Sequence, residues 1–112
     1  RKGEGVPKDY KEAVKWYRLS VEQGGTRGGG QIYLGEMYSE GLGVPQDYVL
    51  AHMWFNLSGS NGIERAVQMR NRVEEAMTPS QIEEAQEVAR NWKRKKESKG
   101  LFEQFKEKLG IK

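Results

Sequence analysis

Gly5-Val6-Pro7-Lys8-Asp9-Tyr10 and Gly43-Val44-Pro45-Gln46-Asp47-Tyr48 are one phrase written twice, 38 residues apart. The copies stay in step beyond it: Ala13 with Ala51, Trp16 with Trp54, Tyr17 with Phe55, Leu19-Ser20 with Leu57-Ser58, Gly24 with Gly62. Self-similarity at a fixed period of this size marks a stack of supersecondary units, each burying its apolar face against its neighbours. Such arrays present surface to a partner more readily than they build an active site.

Each copy reads as a turn followed by a helix. Glycine and the Val-Pro pair keep the chain out of helical conformation, and Asp9 and Asp47 then stand as N-caps; Glu12, three residues after Asp9, completes a capping-box pattern. Tyr10, Ala13, Val14, Tyr17 and Val21 recur at helical spacing. The second copy, Tyr48, Val49, Leu50, Ala51, Met53, Trp54, Phe55 and Leu57, is apolar almost all round, which predicts a helix in the middle of a stack. Between the copies, residues 24–30 read GGTRGGG, five glycines in seven, and predict a mobile connection. No strand precedes this run and no GK[ST] follows it, which argues against a phosphate loop. Gln31 to Glu40 predicts a short helix carrying Ile32, Leu34, Met37 and Tyr38. Gly35 in its middle predicts close approach of a neighbouring helix.

Outward from the repeat, Asn61-Gly62 breaks the chain and Ala66, Met69, Val73, Ala76 and Met77 mark a fourth helix. Thr78-Pro79-Ser80-Gln81 combines an N-cap, proline at the first helical position and Gln at the third. Ile82, Ala85, Ala89 and Trp92 then share a stripe. Ser98-Lys99-Gly100 predicts the end of that helix, and Leu101, Phe102, Phe105 and Leu109 a separate amphipathic segment. The expected helices lie near 9–22, 31–40, 48–60, 64–77 and 80–96, with no competing strand signal. Trp16 and Trp54 are expected in equivalent buried places.

Composition narrows the chemistry. With 112 residues the chain is one domain or part of one, and three Trp, five Tyr and three Phe supply bulk for a modest core. No Cys is present, so disulfides, thiolate metal sites and thiol nucleophiles are excluded. No apolar run is long enough to span a membrane. The net charge of +3 is unevenly spread: residues 1–92 carry 11 Lys+Arg against 13 Asp+Glu, and residues 93–112 carry 8 against 3. The body is therefore slightly acidic, which argues against nucleic acid as its partner.

The paired pattern G-x-G-V-P-x-D-Y-x-x-A-x-x-W-[YF]-x-L-S, with Leu34-Gly35 and Tyr38 in the helix between, resembles Sel1-like repeats over roughly residues 1–77. Thr78 to Trp92 resembles the helix that often closes such bacterial chains. The resemblance implies an all-α fold, an α/α solenoid related to tetratricopeptide arrays, with repeats over 1–77, a capping helix over 78–97 and a basic amphipathic tail over 98–112. It also implies a non-catalytic scaffold or adaptor for protein or peptide partners, with no cofactor, and leans toward the bacterial envelope or secretion. Cysteine-rich members reported to act on β-lactams are not matched beyond the repeat. The family's usual unit is near 36 residues, so the longer spacing here implies two extra residues, most simply in the 24–30 loop. Gly28 and Gly30 stand where the family has small residues, which weakens the start of that helix. The chain opens at the second helix of a pair, which implies a fragment or processed product and less burial for Trp16.

The candidate residues divide by these expectations. Tyr33, Glu36, Met37 and Glu40 lie off the Leu34/Tyr38 core stripe and form the expected partner surface, since Tyr and Met supply contact area and adaptability. Trp16, Tyr17, Tyr38, Tyr48, Trp54 and Phe55 have the spacing of core rather than of a ligand pocket. His52 is the only histidine, without an HExxH or Cys partner, so a metal or base role lacks support. Glu74-Glu75 and Glu83-Glu84 are adjacent on helices and point apart, as solvated faces do. Lys93, Arg94, Lys95 and Lys96 suit the negative end of a helix dipole; the competing reading makes residues 93–109 a tether to an anionic membrane surface or nucleic acid. The apolar tail is expected to fold back and cover the end of the stack.

Overall fold

Caps and breaks divide the described residues into five helices: α1 (Tyr10–Glu22), α2 (Gly29–Glu40), α3 (Tyr48–Ser60), α4 (Glu64–Glu74) and α5 (Pro79–Leu109). The structure, a computed structural model, describes residues 9–23 and 29–110, with the side chains of 98–107 excepted. The predicted N-cap acceptors Asp9, Asp47 and Thr78 all form their bonds. Asp9 accepts from the Glu12 amide at 3.1 Å and Asp47 from the Leu50 amide at 3.0 Å. Thr78 and Gln81 make the reciprocal pair of a capping box, Thr78 Oγ1 accepting from the Gln81 amide at 3.1 Å and Gln81 Oε1 from the Thr78 amide at 2.9 Å. These bonds satisfy amides that a helix start otherwise leaves without partners.

The repeated turn is stapled to the end of α2. Gly41 takes φ 71°, the left-handed conformation that glycine adopts without penalty. The Leu42 amide then reaches the Met37 carbonyl at 2.9 Å, the 6→1 bond of a Schellman ending. The Asp47 amide donates to the Tyr38 carbonyl at 2.9 Å, and Gln46 Nε2 to the Ser39 carbonyl at 3.0 Å. Three successive carbonyls of the last turn are thus paired, one by Leu42 just before the repeated phrase and two by Gln46 and Asp47 within it. Gly43 has positive φ as well, and a Cβ there would lie 2.5 Å from the Tyr10 carbonyl, so the turn is seated on the start of α1.

α3 is the centre of the molecule, packed by α2, α4 and α5, while α1 packs on α2. Ala51, His52, Met53, Trp54, Phe55, Leu57 and Ser58 are all buried, seven residues of a 13-residue helix. The Phe55 ring lies over Gly35, where a Cβ on α2 would come within 2.5 Å of the ring. Gly35 is therefore the notch that lets α2 and α3 approach. Gly59 plays the same part toward Val67 of α4, with a Cβ-to-Cγ2 distance of 2.7 Å.

Four expectations change. α2 starts at Gly29 rather than Gln31, and Gly30 is buried inside it; residues 24–28 of the glycine-rich run lie outside the described residues. α4 ends at Glu74, because the Glu75, Ala76 and Met77 amides bond three residues back to Arg72, Val73 and Glu74, tightening the chain into a turn before Thr78. α5 does not stop at Ser98-Lys99-Gly100 but runs 31 residues, to Leu109. A helix continuous through 98–100 does not reverse there, so the tail lacks the turn a fold-back needs; whether Leu101, Phe102 and Phe105 dock lies outside the described side chains. Trp16 is 64% exposed whereas Trp54 is 8% exposed. The Trp54 ring meets Trp92 of α5 edge-on, with centroids 5.6 Å apart, and no described residue stands in that relation to Trp16.

Two stability predictions follow from this packing. Gly35→Ala should cost about 1–3 kcal/mol by overpacking, and pairing it with Phe55→Leu should recover part of the loss in urea denaturation. Trp54→Ala should cost about 3–5 kcal/mol, while Trp16→Ala should stay within about 0.5 kcal/mol.

Candidate functional site

The surface strip of α2 is built on an aromatic pair. Tyr33 is 44% exposed and stacks on Tyr17 of α1, with ring centroids 5.0 Å apart and planes 22° from parallel. One turn on, Glu36 Oε2 accepts from Arg65 Nη2 of α4 at 3.2 Å, and Glu40 is exposed a turn further. The strip is thus an aromatic platform followed by two carboxylates, with the cation of Arg65 reaching across from the next unit. Met37 does not belong to it. Its side chain is buried with Leu34 and Tyr38, because α2 is covered by both α1 and α3 and its buried arc is wider than one stripe.

His52 is wholly buried at the α3–α4 contact, its Nε2 2.7 Å from Glu74 Oε2. Nδ1 is buried and unpartnered, so the tautomer that donates from Nε2 to the carboxylate leaves only an acceptor unmatched. Arg70 supports the same contact from α4, donating Nη1 to Asn56 Oδ1 at 3.1 Å with Nε 3.9 Å from Glu74. Glu74 is therefore a partner of the core rather than part of a solvated face. Among the described residues no three His, Cys, Asp or Glu side chains converge as metal ligands.

The basic run is divided by the helix. Lys93 lines a crevice of about 160 Å³ between α3 and α5, and Arg94 and Lys95 face solvent. Lys96 turns inward: its ammonium donates to the Val21 carbonyl at 3.2 Å and the Glu22 carbonyl at 2.9 Å. It also lies 5.5 Å from the centre of the Trp92 ring. α1 has no basic residue in its own last turn. Lys96 supplies the missing cation at the negative end of that helix, so it closes the fold instead of belonging to an exposed anion-binding tail. Lys96→Met, which keeps most of the aliphatic stem, should lower stability by about 1–2 kcal/mol. Lys95→Met should be near neutral in the same thermal denaturation.

One signal of the architecture is faint in the sequence. Ala13, Ala51 and Ala89 share the 38-residue spacing, and so do Trp16, Trp54 and Trp92. α5 keeps only the small residue, the tryptophan and, at Gly100, the glycine of the repeat, which is too little to register as a third copy, yet Ala89 is buried and Trp92 carries the contact with Trp54.

Comparison with known proteins agrees with this geometry. The sequence profile of the Sel1 repeat matches residues 1–25 and 29–63. No curated protein sequence matches the chain. Among solved structures, a similar one is the crystal structure of c5321, a protective antigen present in uropathogenic Escherichia coli strains displaying an SLR fold. It shares 36% identity at a TM-score of 0.71, over 80% of this chain and 19% of that one. The chain spans about a fifth of the length of that protein. A stapled turn, a capped helix and a glycine-notched partner helix, matched by the family profile over more than half the sequence, show that the chain belongs to the Sel1 repeat family.

Proposed function

We propose that this chain is a non-catalytic protein–protein interaction module that engages a peptide or protein through the α2 strip. Sel1 repeats generally mediate protein–protein interaction, and among the described residues the fold offers open faces to a partner. The observation that carries the reading is the exposed Tyr33, stacked on the half-buried Tyr17 and continued by Glu36 and Glu40. Tyrosine is an effective interface anchor because it buries a large rigid surface with few rotatable bonds. The carboxylates, with Arg65 across from Glu36, select for donors on the partner.

A photo-crosslinking residue placed at Tyr33 tests this in cells of the source. The reading expects discrete adducts from position 33, lost when Glu40→Lys is added, and none from the exposed position Glu84 on α5. Adducts that are the same from both positions, or absent from 33, contradict it.

The second reading, a tether through residues 93–109, draws on the continuation of α5 to Leu109, which is 57% exposed, and on the exposed Lys93, Arg94 and Lys95. Among the described residues no helix is long and apolar enough to cross a membrane, so such a contact would be peripheral. The tether predicts co-sedimentation with anionic vesicles that falls steeply with added salt and disappears when residues 98–112 are removed. The interaction module predicts no sedimentation at any salt concentration.

A further inference from the structure

An open groove lies between α1 and the turn before α3. Lys11, Lys15 and Arg18 rim it, the buried Val14 and the exposed Leu19 form its floor, and Val44 of the turn stands on its far side, around a volume of about 360 Å³. Leu19 is 40% exposed there, a large apolar side chain left at the surface.

The repeat shows what such a face receives. Moving 38 residues along the chain carries Arg18, Leu19 and Glu22 onto Asn56, Leu57 and Ser60. On α3 those three positions line the crevice against Ala89, Arg90 and Lys93 of α5. Positions that take an amphipathic helix in one unit are thus open in the other. The charges differ in an informative way. On α3 the receiving positions are neutral and the incoming helix is basic; on α1 they are Arg18, Leu19 and Glu22, with the cations Lys15 and Lys11 one and two turns before Arg18.

Lys11 and Lys15 lie at i, i+4 and Lys15 and Arg18 at i, i+3, spacings at which like charges disfavour each other on a helix. Among the described residues no carboxylate pairs with Lys11 or Lys15, and Arg18 donates to the Tyr38 hydroxyl. Glu22 is the one acidic group along the groove, at its far end. The strip is a cationic ladder over an apolar floor, complementary to a helix of opposite charge.

We propose that the α1 groove docks an acidic amphipathic helix of a partner protein. Its apolar residues sit on Val14, Leu19 and Val44, and its carboxylates lie along Lys11, Lys15 and Arg18, away from Glu22. This deepens the interaction reading and rests on it, while moving part of the contact from α2 to α1.

A library of displayed amphipathic peptides, about three to four helical turns long, tests both. Peptides retained by the chain are titrated against Lys11→Glu/Lys15→Glu and against Tyr33→Ala/Glu40→Lys, with circular dichroism confirming that each variant is folded. The groove predicts retained peptides with net negative charge and apolar residues at i, i+3 or i+4. Their affinity should fall roughly tenfold or more on Lys11→Glu/Lys15→Glu and weaken steeply with salt. Peptides that respond only to the α2 variant overturn the groove and leave the interaction reading standing. Basic peptides, or acidic ones indifferent to Lys11→Glu/Lys15→Glu, overturn the groove. Retention of no peptide removes both readings.

Discussion

The structure depends on the burial of α3 by α2, α4 and α5. A helix carrying Ala51, Met53, Trp54, Phe55 and Leu57 leaves only a narrow polar strip, at Asn56 and Ser60, to turn toward water. Its stability therefore requires neighbours on several sides, and each neighbour is admitted by a particular feature: Gly35 opens α2 to Phe55, Gly59 opens α3 to Val67 of α4, and Trp54 meets Trp92 of α5. Hydrophobic burial supplies the driving force, while the glycines and the edge-on tryptophans decide how close and where. The repeated turn serves the same end. By pairing the Met37, Tyr38 and Ser39 carbonyls it fixes where α3 begins relative to α2.

Much of this was legible in the sequence because it is encoded locally. A capping aspartate, a left-handed glycine and a Thr-Pro-Ser-Gln start act within four residues of themselves, and Gly35 announced a close contact by being costly where it stood. The misreadings share a different cause. Met37 looks like a surface residue from α2 alone and becomes core only because α1 and α3 flank that helix on two sides. Trp16 and Trp54 have the same local context and opposite exposure. α5 continues through Gly100: a glycine costs a helix about 1 kcal/mol without obliging it to end.

The contacts between distant residues were the least legible. His52 and Glu74 are 22 residues apart, and Lys96 is 75 residues from the carbonyl it reaches at Val21. Nothing in the spacing of His52 announces a carboxylate on the next helix. In the sequence the basic run suits the end of its own helix or an outside partner, and the structure gives Lys96 to the end of α1 instead. A cation does sit at a helix C-terminus, but sequence alone does not say which helix.

Function in this architecture follows from which faces the stack leaves open. α3 is consumed by the fold, so the recognition proposed above falls to α2, with its tyrosine stack and carboxylates, and to α1, with its cationic groove. The claim beneath both is that α3 is the stable centre and that α1 is held by less. Native-state hydrogen exchange measures this directly. The account predicts that the amides of Ala51 to Leu57 exchange only through global unfolding, with those of α1 opening at lower free energy. Faster exchange in α3 than in α1 would contradict it.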